Sequence, residues 1–229
     1  MDYETETRNA YRNRAKAKAY HEQYIKGAKW ARFTMWRQRR LVEAMLSECQ
    51  LGRTSRILDA PCGTGVVGRN LCQTGASVIA ADISTEMMHR AGAEYVGDQF
   101  KGFVQCDLTK APFRDASFDC LVILAFMHRL PWEIRQKTWE NVIRLSRSYV
   151  IVNYSVDSPS QRWKQRLLKA LRKSYVPAPS RVELEEIRKE IESFGLEILK
   201  MRHIAYFFSG KILFVLKRNA PGVSWAQAD

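Results

Sequence analysis

Three predicted strands that end in aspartates constrain the fold of this chain more than any other feature. The strands are predicted over 56–60, 77–81 and 102–106, and the aspartates at their ends are Asp59, Asp82 and Asp107. Two further apolar runs follow at 118–124 and 149–154, and segments with helical character separate the strands. Continuous apolar strands that alternate with helices are typical of a parallel sheet buried on both faces. The sequence therefore predicts an α/β domain with three aspartates along one edge.

A glycine-rich turn follows the first predicted strand. The segment 57–68 reads ILDAPCGTGVVG, with Gly63 and Gly65 one residue apart. Glycine allows unusual backbone angles and a close approach by a ligand, and such a turn presents N–H groups at the start of a helix. The spacing matches the dinucleotide fingerprint, but three residues separate Asp59 from the first glycine. Because a carboxylate there would repel a pyrophosphate, we expect the turn to hold an ammonium group or to lie near a cationic ligand.

Asp82 has the spacing of a residue that binds a ribose. An acid at the end of the second strand, about 20 residues beyond the glycine turn, is placed to accept hydrogen bonds from ribose hydroxyls. Asp107 is placed to accept one from an exocyclic amine or a loop N–H. Any one of these aspartates is also compatible with a helix cap. Three in register behind a glycine turn favour a nucleotide-like cofactor.

Composition limits the class of protein and its partners. The chain has 229 residues, 46% hydrophobic content and a net charge of +13, which indicates a folded domain biased toward anionic partners. Nucleic acid, anionic lipid, an acidic substrate and a plain basic surface all remain open. The polar start and the lack of an apolar run of about 20 residues favour a cytoplasmic protein. Five cysteines without a C-x-x-C pair indicate reduced thiols and no metal site.

Helical segments are expected to cover the site. Helices are predicted over 29–49, 65–74, 85–96 and 131–146, and a capping box of Ser180 and Glu183 predicts one more that ends at Gly195. The first helix carries an apolar stripe that comprises Trp30, Phe33, Trp36 or Arg37, Leu41, Met45 and Leu46. Two last strands at 196–204 and 210–217 form a predicted hairpin. We divide the chain into a helical cap at 1–50, a core at 51–218 and a flexible tail at 219–229.

A basic segment interrupts this core. Residues 159–181 contain lysines and arginines and no acid, and Trp163 lies on one face of a predicted amphipathic helix. We expect this segment to form a lid over the substrate. Its composition also suits contact with an anionic membrane surface.

Four motifs resemble the class I S-adenosylmethionine-dependent methyltransferases, and more narrowly the type 11 branch that includes the ubiquinone and menaquinone biosynthesis enzymes. They are ILDAPCGTG at 57–65, VIAADIS with EMM at 78–88, CDLTKAPFRDASFD at 106–119, and LVILAFMHRL at 121–130. The resemblance covers about 56–218. It implies a Rossmann-like, seven-stranded, mostly parallel sheet with a C-terminal antiparallel hairpin and helices on both faces.

The resemblance also implies a role for each matching residue. S-adenosylmethionine is the implied cofactor and S-adenosylhomocysteine its product, with no metal. The implied cofactor-binding residues are Asp59, Ala60, Pro61, Cys62, Gly63 and Gly65 around the methionine part, Asp82 at the ribose, Ile83, Met87, Asp107 and Leu108 around the adenine, and Leu124 near the ammonium or sulfonium. The chain has Ala-Pro-Cys where many members have the first glycine of this loop.

His128 is the candidate catalytic residue. Methyl transfer from a sulfonium is an in-line displacement, in which alignment supplies much of the rate. A hydroxyl or carbon nucleophile also benefits from a base, and His128 follows the fourth strand at the mouth of the site. Packing under the cap or contact with substrate is the alternative role for this histidine.

The leading hypothesis is a methyltransferase for a small-molecule or lipid-linked acceptor, with O- or C-methylation favoured over N-methylation. One alternative is an RNA or tRNA methyltransferase that places its basic helices on phosphates. A second is a cofactor-binding regulatory protein without catalytic activity. An NAD-dependent oxidoreductase fits the loop poorly, because of Asp59.

Overall fold

One seven-stranded sheet forms the centre of the molecule. The computed structural model describes residues 29–156, 182–205 and 209–219. Its strands are β1 Arg56–Asp59, β2 Ser77–Asp82, β3 Phe100–Gln105, β4 Phe118–Ile123, β5 Ser146–Ser155, β6 Leu196–His203 and β7 Lys211–Arg218. Their order across the sheet is β3-β2-β1-β4-β5-β7-β6. Strands β1 to β5 are parallel, whereas β7 runs antiparallel to both β5 and β6. The predicted fold is confirmed.

Helices lie against the sheet between the strands. They are α1 Lys29–Leu46, α2 Gly68–Cys72, α3 Thr85–Ala91, α4 Trp132–Leu145 and α5 Leu184–Ser193. Short 3₁₀ turns occupy Ser47–Cys49, Leu108–Lys110 and Met127–Arg129. Strand residues alternate between the two faces, so Leu58 packs into one apolar core with Trp139, whereas Ile57 packs into a second core with Val42. Because the described residues cover both faces of the sheet, a ligand is expected to approach the strands at their ends.

The first helix is half core and half surface. Leu41, Val42 and Met45 are buried in the second apolar core. The predicted apolar stripe extends further toward the N-terminus, but Trp30, Phe33 and Trp36 are exposed by 43%, 44% and 55%. The stripe was therefore predicted correctly only in its C-terminal half. Position along the helix decides this, since only the last turns of α1 lie against α2 and β7.

Three helix boundaries differ from the prediction. The helix predicted over 65–74 is only Gly68–Cys72, because Gly65 has a φ of +75° that no helix accommodates. The helix predicted over 85–96 ends at Ala91, where a turn begins. The predicted Ser180 cap was wrong, since α5 begins at Leu184. Glu183 caps it by a capping box with Glu186, one turn later than predicted.

Several predicted regions lie outside the described residues. They are the part of the cap at 1–28, the whole of the basic lid at 159–181, and the tail from 220 onward. Within the described part of the chain, no helix is long and apolar enough to cross a bilayer. All five cysteines are free thiols.

Candidate functional site

The ends of the parallel strands form the candidate site. Strands β1 and β4 are neighbours, and the chain leaves β1 toward β2 on one side and β4 toward β5 on the other. The carboxyl ends of strands at such a switch point open a crevice, which is where open α/β sheets bind ligands. We call this margin of the sheet the carboxyl edge. It also includes the start of β7, because Lys211 pairs with Ser155 at the end of β5.

Asp82 holds the glycine turn in place at this edge. The Gly63 N–H donates to Oδ2 of Asp82 at 2.8 Å, and the Ser84 N–H donates to Oδ1 at 2.9 Å. The carboxylate is only 6% exposed, and this burial raises its pKa while the backbone donors lower it. Each carboxylate oxygen can accept a further hydrogen bond. Asp82 thus joins the ends of β1 and β2 and retains acceptor capacity for a ligand.

Asp59 is buried beneath the turn against Tyr95. The Tyr95 hydroxyl donates to Oδ2 of Asp59 at 2.5 Å, and the aspartate is 2% exposed. Burial raises the pKa of Asp59 to about 7, the Tyr95 hydrogen bond opposes this rise, and the charge of Asp82 adds to it. Near neutral pH this carboxyl therefore exchanges a proton readily. A cationic group placed nearby would favour its ionised form.

Glycines shape the turn for two different reasons. A side chain at Gly65 would lie 3.0 Å from Cβ of Glu94, and one at Gly68 would lie 2.9 Å from the Glu94 carbonyl oxygen. These two positions let α2 pack closely on the segment that follows α3. Gly63 differs, because a Cβ there would meet nothing within 4 Å and its φ is +52°. At Gly63 the backbone faces open space, as a cradle for a ligand requires.

Arg39 links helix α1 to the back of the turn. Its Nε donates to the Val66 carbonyl oxygen at 2.6 Å, and its guanidinium lies 3.4 Å from Oε2 of Glu94. Arg69 approaches the same Glu94 oxygen at 3.4 Å. The N-terminal helix is therefore fastened to the loop and forms part of the support of the site.

Asp107 combines two functions that the sequence left open. Its Oδ1 accepts hydrogen bonds from N and Oγ1 of Thr109 at 2.9 and 2.8 Å, so it caps the 3₁₀ turn that follows β3. Leu108 is 5% exposed, and its carbonyl oxygen accepts a bond from Nδ2 of Asn141 at 2.7 Å. Asn141 thus anchors this turn to α4 and fixes the position of both residues at the edge.

The other predicted cofactor residues follow the same strands. Ala60, Pro61 and Cys62 form the turn directly after β1, Ile83 follows β2, Met87 lies buried in α3, and Leu124 follows β4. Ser84 caps α3, since its hydroxyl accepts from the Met87 N–H at 3.2 Å. Burial and the charge of Asp82 raise the pKa of the Cys62 thiol. Cys62 is therefore a packing residue of the turn and a poor nucleophile.

His128 lies on the other half of the edge and is buried. It is 3% exposed, and its Nδ1 atom has no hydrogen-bond partner. Burial, with the charges of Arg129 and Lys211, lowers its pKa to about 3. The imidazole is therefore neutral at physiological pH and a weak proton acceptor. Its predicted role as a general base stays a prediction, as does the alternative role of contact with substrate.

The donors and acceptors fit the implied cofactor. Asp82 offers carboxylate oxygens for ribose hydroxyls, Gly63 offers space beside its backbone, and Asp59 lies beneath the turn as a counter-charge for an ammonium. A pyrophosphate would instead meet two buried carboxylates. The chemistry of the donor set therefore matches a cationic nucleoside better than a dinucleotide.

Comparison with known proteins agrees with this assignment. Residues 57–148 match the family model described as a methyltransferase domain, from the first strand to the start of β5. Over these residues the chain is therefore similar to a methyltransferase domain. The matched segment contains nearly every residue discussed around the turn, with Arg39, Asn153 and Lys211 outside it.

Curated methyltransferases match over part of the chain. A demethylmenaquinone methyltransferase of Clavibacter sepedonicus is 43% identical over 68 residues, which is 30% of this chain and 28% of that protein. A malonyl-acyl-carrier-protein O-methyltransferase of Enterobacter lignolyticus is 34% identical over 82 residues, 36% of this chain and 32% of that protein. The matched segments thus span about a third of the length of these relatives.

Solved structures share the whole fold. The magnesium protoporphyrin IX methyltransferase of Synechocystis PCC 6803, crystallised with bound SAH, has a TM-score of 0.76 at 19% identity and covers 94% of this chain and 100% of its own. The cyclase SpnF has a TM-score of 0.61 at 13% identity, covering 79% of this chain and 80% of its own. A shared fold therefore does not by itself fix the reaction.

Sequence reasoning missed four residues of this site. Tyr95, Arg39 and Asn153 each form a hydrogen bond with a residue far away in the chain, and the charge of Lys211 affects the distant His128. The isolated sequence carries no spacing signal for such pairs. Of the four, Lys211 was the easiest to find from the sequence, because it is a cation near the start of the last predicted strand.

Proposed function

We propose that this chain transfers a methyl group from S-adenosylmethionine to a small-molecule or lipid-linked acceptor. The observation that carries the proposal is the bond between the Gly63 N–H and Asp82, which brings the glycine turn and the ribose-binding acid of the motif together at 2.8 Å. The matched O-methyltransferase supports transfer to oxygen, and the matched demethylmenaquinone methyltransferase supports a small-molecule acceptor.

Each residue of the carboxyl edge has a defined task in this proposal. The cofactor supplies a methyl group activated on a sulfonium. Asp82 would hold the ribose hydroxyls, Asp59 would face the ammonium, and Asp107 and Leu108 would contact the adenine edge. Ile83 and Met87 would flank the adenine ring, and the Leu124 carbonyl would lie near the ammonium or sulfonium.

Alignment is the main contribution that these residues make to the rate. An in-line displacement needs the acceptor atom, the methyl group and the sulfur in one line, and holding that geometry lowers the barrier by several kcal/mol, about 7–11 kcal/mol in the best cases. The bonds from Tyr95, Asn141 and Arg39 keep the acidic half of the edge rigid before a ligand arrives. His128, with its pKa lowered to about 3, would orient the acceptor more readily than deprotonate it.

Isothermal titration calorimetry tests the cofactor. We expect S-adenosylhomocysteine to bind the wild-type chain and NAD to give no heat. Asp82→Ala should weaken binding of S-adenosylhomocysteine about 10- to 100-fold, because it removes a charged acceptor for two hydroxyls and leaves the Gly63 and Ser84 N–H groups unpaired.

Asp98→Ala is the matched control, since Asp98 is exposed on the surface beyond α3. It should bind S-adenosylhomocysteine as the wild type does. Preferential binding of NAD, or undiminished affinity in Asp82→Ala, would refute the proposed cofactor.

A further inference from the structure

Helix α1 carries large aromatic side chains that face solvent. Phe33 and Trp36 are 44% and 55% exposed, and their ring centroids are 6.0 Å apart. The ring of Trp30, which is 43% exposed, lies 5.5 Å from that of Phe33. Phe33 and Trp36 also line a surface groove of about 440 Å³ together with Lys29 and Arg32. Adjacent exposed aromatic rings of this kind mark a surface that binds a partner.

The same stretch of α1 is strongly basic. Residues 29–42 contain five basic residues and no acidic residue. Two of the five, Arg39 and Arg40, form ion pairs. The other three are Lys29, Arg32 and Arg37, whose side chains are exposed and take part in none of the ion pairs among the described residues.

Helical spacing places these cations beside the aromatic rings. Lys29 and Arg37 lie four residues before and after Phe33, and Arg32 lies four residues before Trp36, so all five side chains share one side of the helix. We call Lys29, Arg32, Phe33, Trp36 and Arg37 the outward face of α1. It combines exposed apolar area with positive charge that has no counter-charge nearby.

The outward face projects beyond the carboxyl edge. Arg39 donates to the Val66 carbonyl oxygen in the turn after β1, so this point of α1 is level with the edge. From the end of α1 the chain passes through a 3₁₀ turn to Arg56, the first residue of β1, at the amino ends of the strands. The helix therefore runs away from the edge, and residues before Arg39 lie outside it. At a rise of 1.5 Å per residue, Trp36 and Phe33 are about 4.5 and 9 Å further out than Arg39.

A further exposed tryptophan lies at this edge on the other face of the sheet. Trp132 is 43% exposed and begins α4, which follows β4 and its 3₁₀ turn. Helix α4 packs into the first apolar core through Trp139, whereas α1 packs into the second through Val42. The exposed tryptophan and phenylalanine side chains of the described residues all belong to these two helices. Exposed rings thus flank the carboxyl edge on both sides.

A bilayer surface matches this arrangement of rings and charges. Tryptophan is enriched where a protein meets lipid headgroups, because its ring is apolar and its N–H group is polar. Basic side chains beside such rings attract the phosphates of anionic lipids. Rings on both faces of the sheet suit a broad, flat partner, whereas an RNA strand is bound along one basic groove.

We propose that the outward face of α1 binds the surface of a membrane that contains anionic lipid. Phe33 and Trp36 enter the headgroup layer, and the three cations of this face contact lipid phosphates. The carboxyl edge is then turned toward the lipid. Of the two acceptor classes named above, this orientation favours the lipid-linked one, a step that rests on the proposed function. The binding itself goes beyond that function and is tested without it.

Cosedimentation of the full chain with vesicles tests the proposal. One set of vesicles is phosphatidylcholine alone, and the other is an equimolar mixture of phosphatidylcholine and phosphatidylglycerol, both at physiological ionic strength. We expect the chain to bind the mixed vesicles and to stay in solution with phosphatidylcholine alone. Replacing both rings, by Phe33→Ser with Trp36→Ser, should weaken binding about tenfold or more, because apolar area no longer enters the headgroup layer.

A second double variant isolates the contribution of charge. Arg32→Gln with Arg37→Gln keeps both rings and should also weaken binding to the mixed vesicles about tenfold, since each cation near an anionic surface contributes to the attraction. Loss of binding in this variant alone, with full binding in the variant without the rings, would show adsorption by net charge and would overturn the proposal.

Leu199→Ser is the matched control, because Leu199 is 41% exposed in the middle of β6. It should bind the mixed vesicles as the wild type does. Titration with S-adenosylhomocysteine should give wild-type affinity in every variant, which shows that the turn and its support are folded. Failure of the wild type to bind S-adenosylhomocysteine would refute the proposed function and leave the vesicle result standing.

Three further results would overturn the proposal. The first is the absence of wild-type binding to either set of vesicles. The second is undiminished vesicle binding in the variant without the rings when that variant no longer binds a labelled single-stranded RNA, which would assign the face to nucleic acid. The third is undiminished vesicle binding in the same variant when sedimentation velocity shows a dimeric wild type and a monomeric variant, which would assign the face to a second copy of the chain.

Discussion

The two halves of the carboxyl edge differ in charge and in how completely their polar groups are bonded. On the β1 to β3 side, Asp59, Asp82 and Asp107 all accept hydrogen bonds from neighbouring residues. On the β4, β5 and β7 side the charged groups are cations, and Nδ1 of His128 and Nδ2 of Asn153 lack partners. One half is preorganised and acidic, and the other is basic and incomplete.

This difference is what we expect if the two halves bind different kinds of ligand. A fixed set of hydrogen-bond acceptors on the protein can bind a cofactor that is common to a large family. An acceptor substrate that differs between members must be met by residues that complete their bonds only when it binds. The unpaired Nδ1 of His128 and Nδ2 of Asn153 therefore indicate a binding site only if the rest of that half is well packed.

The interior below the basic half is fully bonded. The carboxylate of Glu190 accepts from Nε of Arg135 at 3.0 and 2.8 Å, from Nε1 of Trp139 at 2.7 Å and from the Tyr154 hydroxyl at 2.7 Å. Tyr154, whose hydroxyl is hydrogen-bonded, is next in β5 to Asn153, whose Nδ2 atom has no hydrogen-bond partner.

The largest expected effect follows from removing that buried acid. Glu190→Ala leaves the Arg135 charge and two buried donors unpaired, and should lower the free energy of unfolding by about 3–5 kcal/mol. Urea denaturation measures it. Glu185→Ala, on the exposed face of the same helix, should stay within about 0.5 kcal/mol of the wild type. Equal losses in both variants would mean that the interior of this half is as loosely bonded as its edge.

A second prediction concerns the protonation of Asp59. Its pKa is raised from 3.8 to about 7 in the folded chain, so the folded state binds more protons than the unfolded state between these values. The stability contributed by this group therefore falls as the pH rises from about 4 to 7, and Asp59→Asn should remove that dependence. Tyr95, Asp82 and Cys62 are the titratable groups around it.

The same shift makes cofactor binding depend on pH. The ionised form of Asp59 favours an ammonium, and its population increases about tenfold between pH 6 and pH 8 for a pKa near 7. Calorimetry should show S-adenosylhomocysteine binding up to tenfold more tightly at pH 8 than at pH 6, whereas adenosine, which lacks the ammonium, should show no change. A flat profile for S-adenosylhomocysteine would separate Asp59 from the ammonium.

The smallest expected effect concerns the support behind the turn. Arg39→Gln removes a charge-assisted bond to the Val66 carbonyl and should lower stability by about 0.5–1 kcal/mol, because the arginine is partly exposed. Thermal denaturation with and without S-adenosylhomocysteine measures it, and Arg40→Gln serves as the control on the exposed face of α1. A loss in Arg40→Gln as large as that in Arg39→Gln would show that α1 does not support the turn through this bond.

The acidic half could be predicted from the sequence, and the basic half could not. Asp59, Asp82 and Asp107 each follow an apolar strand at a regular spacing, so parallel pairing alone brings them together. Lys211 reaches the end of β5 only because β7 inserts beside β5 in the reverse direction. No local sequence pattern encodes the register of β7 on β5. The hydrogen bond between Tyr95 and Asp59 likewise joins two residues that are 36 positions apart in the chain.

The exposed aromatic residues of α1 illustrate the same limit. A stripe of apolar residues predicts that one helix face is buried, but it does not state how much of the helix reaches the core. Trp36 is 55% exposed although it belongs to the same pattern as the buried Met45. Tertiary position therefore overrides periodicity where a helix extends past the body that it packs on.

The most direct test of the divided edge is a crystal structure of the chain soaked with S-adenosylhomocysteine. We expect difference density that runs from the turn at Gly63 to the carboxylate of Asp82 and on toward Asp107, with no ligand density in the half around Lys211. Density for the nucleoside over Lys211 and His128, or none beside Asp82, would contradict it.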